Sequence, residues 1–231
     1  MKKLLTSVCC LLCSTLLLAS NQDKRVLTAG RTEQPIKIDG VLDEMAWRNA
    51  QVATDFTQLE PNPGAPPTHP TEVRIVYNDQ AIYIGAKLYD NPDEIARQLF
   101  ERDDISDDHE SDWFGVAFDT YRDGINGNAF LVTPAGVQID LKFTSDGDDD
   151  AWDAVWDSEV TIVSDGWIVE MEIPYSALRF PDKDIQEWHL QLARKRFASQ
   201  EESFWNPMDP EQNGFFTQAG ILQGIENIKS P

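Results

Sequence analysis

The chain has 231 residues and carries 40 acidic against 19 basic side chains, which gives a formal net charge of −21. A surface this acidic repels phosphate backbones and argues against nucleic acid as a partner. It suits neutral ligands, or metal cations held by carboxylates, although acids also serve simply to keep an exported protein soluble.

The first twenty residues have the three parts of a secretory signal peptide. Lys2 and Lys3 precede an apolar run at residues 4–18, and the small residues Ala19 and Ser20 follow it. The run is too short for a stable transmembrane anchor. We therefore predict export to the periplasm, the outer membrane or the outside of the cell. All three cysteines lie in this segment, so the exported chain has no disulfide and no zinc–cysteine site.

Residues 21–32 are polar and predict a flexible lead-in, and residues 227–231 predict a short C-terminal tail. The stretch between them, 33–226, is long enough for one domain with a sizeable core. Within it, residues 61–70 contain five prolines and a glycine. Because proline donates no backbone hydrogen bond, this stretch predicts a loop rather than a helix or a strand.

After that loop, short runs in which apolar and polar residues alternate are separated by turn residues. The clearest turns lie at residues 78–80, 134–136 and 164–166. Such runs are typical of antiparallel strands with one buried face. The chain is therefore predicted to be an all-β antiparallel β-sandwich of jelly-roll or immunoglobulin-like type. Three tryptophans in the alternating runs are predicted to lie in the core: Trp113, Trp167 and Trp188.

Helices are predicted to be few and short. The first covers residues 43–51, with Asp43 and Glu44 in its first turn, where acids favour the helix dipole. Trp47 of this helix is predicted to pack onto the sandwich, because aromatic side chains contribute heavily to cores. The other two candidates are a helix at 92–99 and a turn at 175–178.

The stretch "IKIDGVLDEMAW" (36–47) resembles the opening of carbohydrate-binding module family 9 domains. Five further blocks follow in the family's order: "VRIVYNDQAIYIGAKLYD", "SDWFGVAFDTYRDGINGNAFLVTPAGVQID", "GWIVEMEIPYSAL", "WHLQLARKR" and "GFFTQAGILQGI". Together the blocks extend the resemblance over about residues 33–226. The resemblance implies a β-sandwich with structural calcium that binds the ends of plant polysaccharide chains such as xylan or cellulose. Members accompany glycoside hydrolases but do not themselves cleave, and founding members hold the sugar between two tryptophans.

The stretches "AFDTYRDGINGNAFLVTPAGVQID" and "IPYSALRF" are similar to a subgroup found ahead of a β-barrel in bacterial secreted or outer-membrane proteins. This similarity implies an alternative, an accessory domain that docks on or gates such a barrel and binds no sugar. A third alternative is a haem-binding sandwich of the same superfold, with His109 and either Met171 or Met208 as axial ligands. Tryptophans exposed in a cleft favour sugar binding, whereas a flat apolar face with every tryptophan buried favours docking.

A sugar has apolar ring faces and polar edges, so its site needs flat aromatic side chains beside hydrogen-bonding groups. Trp152 and Trp156 lie in an acidic segment and are predicted to form one wall of a cleft, with Trp205 as the opposite wall. The alternative is that these rings cap the core. The polar candidates are Arg102, Asn128, Gln138, Arg194, Arg196 and Glu202. For Arg194 and Arg196, structural salt bridges are the alternative role.

Two acidic loops, the first at residues 102–112 and the second at residues 145–157, suggest calcium as a structural ion. The second begins like an EF-hand, but Ala151 stands where that loop needs glycine and Asp157 stands where it needs glutamate. The alternative is that both loops are solvated runs of acids. The predicted calcium ligands are Asp104, Asp107 and Asp112 in the first loop and Asp146, Asp148 and Asp150 in the second.

The sequence also lacks the signs of an enzyme. Its three histidines are scattered, and no nucleophile, zinc-protease or phosphate-binding motif is present. We therefore predict a non-catalytic protein that binds an oligo- or polysaccharide.

Overall fold

Two β-sheets pack face to face in the computed structural model, which describes residues 24–104, 109–149 and 151–230. The predicted all-β sandwich with few helices is confirmed. The predicted signal peptide lies outside the described residues, and so do Asp107 and Asp150.

The described residues contain one short α-helix, α1 (Met45–Asn49), and 3₁₀ turns at Pro92–Glu94, Tyr175–Ala177, Phe197–Ser199 and Phe216–Gln218. The strands in chain order are β1 (Val26–Thr28), β2 (Gly30–Arg31), β3 (Val52–Ala53), β4 (Thr57–Glu60), β5 (Thr71–Tyr77), β6 (Ala81–Tyr89), β7 (Trp113–Asp119), β8 (Gly127–Val132), β9 (Gln138–Thr144), β10 (Gly147–Asp149), β11 (Asp157–Val163), β12 (Gly166–Pro174), β13 (Ile185–Arg196), β14 (Glu201–Phe204) and β15 (Gly220–Glu226).

The large sheet has the order β1-β15-β13-β7-β8-β9-β10, with β14 on β13 and β4 on β14. The small sheet has the order β11-β12-β6-β5-β2, with β3 on β5. All pairs are antiparallel except β1–β15 and β2–β5. Consecutive strands form the hairpins that the turn residues predicted, including β5–β6, β8–β9 and β11–β12.

The predicted flexible lead-in is wrong for the residues that the structure describes. Residues 26–28 and 30–31 add β1 to the large sheet and β2 to the small sheet, and Leu27 and Ala29 are buried. The predicted tail is also partly folded, since Ile228 is buried in the core. These apolar positions are too few and too closely flanked by polar residues to give a recognisable strand pattern in the sequence.

The inner faces of the two sheets form the main core, as the alternation predicted. Val73, Ile75, Trp167 and Trp188 are all completely buried there. Trp113 is an exception, because it is only half-buried. It begins β7 on the face opposite to its core neighbour Phe114.

The outer face of the small sheet is covered by α1, which is held there by the buried carboxylate of Glu170 on β12. The indole Nε1 of Trp47 donates to Glu170 Oε1 over 3.0 Å. Glu170 Oε2 accepts from the backbone amides of Asp39, Gly40 and Val41 over 2.8–3.2 Å. Four donors thus satisfy one carboxylate and fix the turn before α1. The predicted packing of Trp47 onto the sandwich is confirmed.

Two glycines make this arrangement possible. Gly40 has φ +74°, which favours glycine, and a Cβ there would lie 2.3 Å from Thr161 Oγ1. Gly85 is the partner of Glu170 across the β6–β12 ladder, and a Cβ there would lie 3.2 Å from the Trp47 ring. Both positions therefore require the absence of a side chain.

Two helix predictions need correction. Asp43 and Glu44 precede α1 instead of forming its first turn, and the Glu44 carboxylate accepts from the Lys37 amide over 3.1 Å. The predicted helix at 92–99 is only a 3₁₀ turn at Pro92–Glu94. Beyond it the chain is drawn into a bridge with residue 111, and the Asp112 amide donates to the Ala96 carbonyl.

We expect the substitution Glu170→Gln to lower the free energy of unfolding by about 2–3 kcal/mol. Glutamine keeps one acceptor oxygen but turns an NH₂ group toward backbone N–H donors, which then lose their partner. Urea unfolding of the variant measures the loss. Glu33→Gln, at an exposed position before α1, is the control and should change stability by less than about 0.5 kcal/mol. Equal stability of both variants would contradict the role of Glu170.

Candidate functional site

A groove of about 660 Å³ opens at one end of the sandwich, next to the beginning of β8 and the end of β9. We call it the Trp152 groove. Asn128 and Lys142 pair across the β8–β9 ladder on the face that carries Phe130, which is the inner face of the large sheet. The groove therefore forms where the two sheets stop covering each other. Its aromatic lining is Tyr121 and Trp152, together with Phe143, whose ring stacks on Phe215 on the outer face of the large sheet. Its polar lining includes Asn126, Asn128, Lys142, Asp153 and Arg179.

The Trp152 ring is half-buried, so one part packs on the core while the rest lines the groove. It meets Phe130 edge-on, with ring centroids 5.9 Å apart. Tyr121 is 56% exposed at the rim. The groove therefore combines flat apolar rings with amide and charged groups, within the 300–1,000 Å³ range of ligand pockets.

The segment that carries Trp152 is held by Asp140, a completely buried residue of β9. The Asp140 carboxylate accepts from the Ala154 amide over 2.6 Å and from the Trp156 indole over 3.1 Å. It also accepts from Arg102 Nη2 over 2.5 Å. Gln138, two residues before Asp140 on β9, donates to the Trp156 carbonyl over 3.2 Å. These contacts fasten two loops to β9 and position the Trp152 ring.

The sequence matches the family described as carbohydrate family 9 binding domain-like over residues 38–215. The chain belongs to this family. Its members are non-catalytic binding domains, so this chain is a binding domain and not an enzyme. No curated protein matches the chain in sequence. Among the described residues, no helix has the length and hydropathy needed to cross a membrane.

Three solved structures share the fold of this family 9 domain. Two of them are complexes of a carbohydrate-binding module family 9 from Caldicellulosiruptor kristjanssonii. The cellotriose complex has TM-score 0.61 and 14% identity, and the match covers 86% of this chain and 93% of that chain. The glucose complex has TM-score 0.61 and 15% identity, covering 90% and 100%. A candidate carbohydrate-binding protein from Bacteroides uniformis has TM-score 0.69 and 11% identity, covering 87% and 99%.

The structure connects five of the predicted sugar-site residues to the groove or to the loop that carries Trp152. Trp152 and Asn128 line the groove. Arg102, Gln138 and Trp156 lie behind it and support its wall. Trp156 is only 4% exposed, and its indole N–H is used by Asp140. The prediction that Trp156 presents a ring face to sugar is therefore wrong, and the alternative that it caps the core is right.

The other four predicted residues lie elsewhere. Trp205 is 3% exposed and packs against Gly220, so it forms no opposite wall. Glu202 on β14 pairs with Lys195 over 3.5 Å. Arg194 and Arg196 are buried near the end of β13 that is remote from the groove. They bind Asp90 over 2.6 and 2.9 Å, which confirms the alternative of structural salt bridges.

Sequence reasoning missed several groove residues, namely Tyr121, Asn126, Phe143, Asp153 and Arg179. Tyr121 and Asn126 flank the glycine of a turn, and Phe143 continues an alternating strand, so each had an ordinary structural interpretation. Only the pairing of β8 with β9 and the packing of residues 151–155 beside them place these side chains together.

The predicted calcium ligands do not converge in the described part of the chain. Asp146 and Asp148 are exposed in and beside β10, Asp104 pairs with His109 over 2.8 Å, and Asp112 is buried near Arg194.

The described carboxylates that do converge are those of Asp103, Asp140 and Asp153, which have oxygens within 4.8 Å of one another. Arg102 sits among them, with nitrogen–oxygen distances of 3.1 Å to Asp103, 2.5 Å to Asp140 and 3.4 Å to Asp153. A guanidinium thus supplies the positive charge, and this group does not fit a calcium cage.

The haem alternative finds no support among the described residues. Met171 is completely buried in the core on β12. His109 stacks on Phe100, with ring centroids 3.9 Å apart, and Met208 lines a separate groove that has no histidine in its lining. Neither methionine is therefore placed as an axial partner of His109.

Asp112, one of the predicted metal ligands, has a strongly shifted pKa. Its Oδ1 accepts from the Phe197 amide over 2.8 Å, and its buried Oδ2 has no hydrogen-bond partner. Burial raises the pKa of the Asp112 carboxyl to about 6, although that amide, Arg194 and Arg196 favour the charged form. The folded state therefore binds this proton more tightly than the unfolded chain does.

This shift predicts that protonation of Asp112 stabilises the fold as the pH falls through about 6. The free energy of unfolding of the wild type, minus that of the variant Asp112→Asn, should rise by about 2 kcal/mol when the pH is lowered from 8 to 4.5. Urea unfolding at both pH values measures this difference. Asp146→Asn, at an exposed position, is the control and should show no such trend. A pH-independent difference for Asp112→Asn would contradict the assignment.

Proposed function

We propose that this family 9 domain binds carbohydrate in the Trp152 groove without catalysing a reaction. The observation that carries the proposal is the half-buried Trp152 ring, which faces a groove of ligand size beside unengaged amide and cationic groups. The solved family 9 structures in complex with cellotriose and glucose support it, because they have the same fold.

Each kind of side chain has a distinct role in this proposal. The Trp152 ring stacks on the apolar face of one sugar unit, and Tyr121 at the rim contacts the next unit. Asn128 offers both an amide donor and a carbonyl acceptor to hydroxyl groups. Lys142 and Arg179, which also line the groove, donate further hydrogen bonds.

The glycan that we propose is a xylan- or cellulose-like chain, and the setting is polysaccharide breakdown outside the cytoplasm. Support for the setting comes from the apolar N-terminal run behind Lys2 and Lys3 and from the similarity to domains that precede a bacterial outer-membrane barrel. The alternative is a docking or gating domain that binds no sugar. In such a domain we expect every tryptophan to be buried. The partial exposure of Trp152 in a groove favours sugar binding.

Titration calorimetry against cello-, xylo- and manno-oligosaccharides tests the proposal. We expect dissociation constants between micromolar and millimolar for at least one series. The variant Trp152→Ala should weaken that binding at least tenfold, because a partly desolvated aromatic ring is a typical hot spot. Its circular dichroism spectrum should remain that of the wild type.

Trp113→Ala is the matched control for this experiment. Trp113 is also half-buried but begins β7, at the opposite end of the strand from Tyr121, and does not line the groove. This variant should bind sugar like the wild type. Absence of heat with every sugar, from a folded protein, would reject the proposed function and leave the docking alternative.

The calcium suggested by the two acidic loops is untested, and chelation tests whether it binds. Because Arg102 already neutralises the converging carboxylates, we expect an excess of chelator to leave both the unfolding temperature and the sugar affinity unchanged. Arg102→Gln, in contrast, should lower the unfolding temperature, since Asp140 would keep a buried charge without its cation. A drop of several degrees on chelation would contradict this and point to an ion on other carboxylates, such as Asp107 and Asp150.

A further inference from the structure

A second groove, of about 530 Å³, lies directly beside the Trp152 groove. Thr120 and Tyr121 line both grooves, so the two form one continuous surface around Tyr121. The rest of its lining comes mainly from the start of β13 and the residues just before it. We call it the His189 groove, and its charged or ionisable lining residues are Arg122, Lys183, Glu187 and His189.

Both carboxylates that line this continuous surface are already engaged in ion pairs. Asp153 pairs with Arg102 over 3.4 Å, and Glu187 pairs with Arg122. A third carboxylate, Asp119 at the end of β7, is completely buried and accepts from His189 Nδ1 over 2.9 Å. No lining carboxylate is therefore left to neutralise a further cation.

Three of the lining cations, in contrast, have no carboxylate partner among the described residues. Lys142 and Lys183 make no ion pair, and Arg179 donates only from Nη1, to the carbonyls of Ser176 and Leu178. All three side chains are exposed. The acids nearest to these lysines do not line either groove. They are Asp149, opposite Lys142 across the ladder, and Asp182 and Asp184, beside Lys183 in sequence.

Unpaired cations are unexpected in a protein whose acids outnumber its basic residues by 40 to 19. A neutral sugar leaves their charge uncompensated, because a hydroxyl group accepts a hydrogen bond but carries no opposite charge. A carboxylate gains more, since hydrogen bonds between opposite charges are about twice as strong as neutral ones. A uronic acid combines both requirements: a ring with an apolar face and a carboxylate at C6.

We infer that the natural ligand is an acidic glycan, a uronic-acid oligosaccharide that spans both grooves. One ring stacks on Trp152 with its carboxylate near Lys142 and Arg179, and a following unit passes Tyr121 and presents its carboxylate to Lys183. This inference rests on the proposed function and adds the class of sugar and a second subsite in the His189 groove.

The test compares β-1,4-linked triglucuronate with cellotriose, which differ only in having a carboxylate or a hydroxymethyl group at C5. By calorimetry, the wild-type protein should bind triglucuronate at least tenfold more tightly. Lys183→Gln should weaken triglucuronate binding about five- to tenfold and change cellotriose binding less than twofold. Arg48→Gln, an exposed position on α1, removes the same charge and should change neither.

Equal affinity for the two trisaccharides would overturn the inference and leave the proposed function intact. Absence of binding by either sugar would overturn both. Tighter binding of triglucuronate that is insensitive to Lys183→Gln would also overturn the inference, because the carboxylate would then not lie in the His189 groove. Selective loss in Lys183→Gln, with Arg48→Gln unchanged, is the result that supports it.

Discussion

The Trp152 groove depends on one buried carboxylate, that of Asp140. An ionised carboxylate between two sheets is costly unless hydrogen bonds and an opposite charge satisfy it. Here the donors are the Ala154 amide, the Trp156 indole and the Arg102 guanidinium, which belong to two different loops. Satisfying Asp140 therefore fixes both loops on β9, and the position of the Trp152 ring follows from that attachment.

The same arrangement recurs at two other places in the fold. Glu170 holds the turn before α1 and the Trp47 indole against the small sheet. Asp90, at the end of the small sheet, binds Arg194 and Arg196 of the large sheet and so connects the two layers. All cysteines lie in the first thirteen residues, so the folded part has no disulfide. Buried carboxylates with complete sets of partners provide the long-range connections in their place.

The charged residues fall into groups with different roles. Asp90, Asp140 and Glu170 are buried and held by ion pairs or hydrogen bonds, whereas many other acids are exposed and keep the protein soluble. The exposed cations around Tyr121 differ from both groups, because Lys142, Arg179 and Lys183 have no carboxylate partner among the described residues. The surface that offers aromatic rings to a ligand is thus also the surface where positive charge is left uncompensated. Recognition of an acidic sugar requires this combination.

The sequence by itself determined the strands, the hairpin turns, the family and much of the core. A period of two shows which residues share one face of a strand, and the turn residues between the runs show where the chain reverses. Trp167 and Trp188 could therefore be placed in the core. The periodicity does not show how the strands are ordered in the two sheets, nor which short segments such as β1 and β2 complete them.

Only the tertiary structure decided which tryptophan lines the groove. Trp152 and Trp156 are four residues apart in one acidic segment and look equivalent in sequence. They differ because the Trp156 indole donates to Asp140 and is drawn into the core, while Trp152 stays at the open edge of the sheets. The partners of Arg194 and Arg196 were likewise undetermined, since Asp90 lies about a hundred residues earlier in the chain. Burial and ion pairing depend on neighbours from distant segments, which the local pattern of residues does not contain.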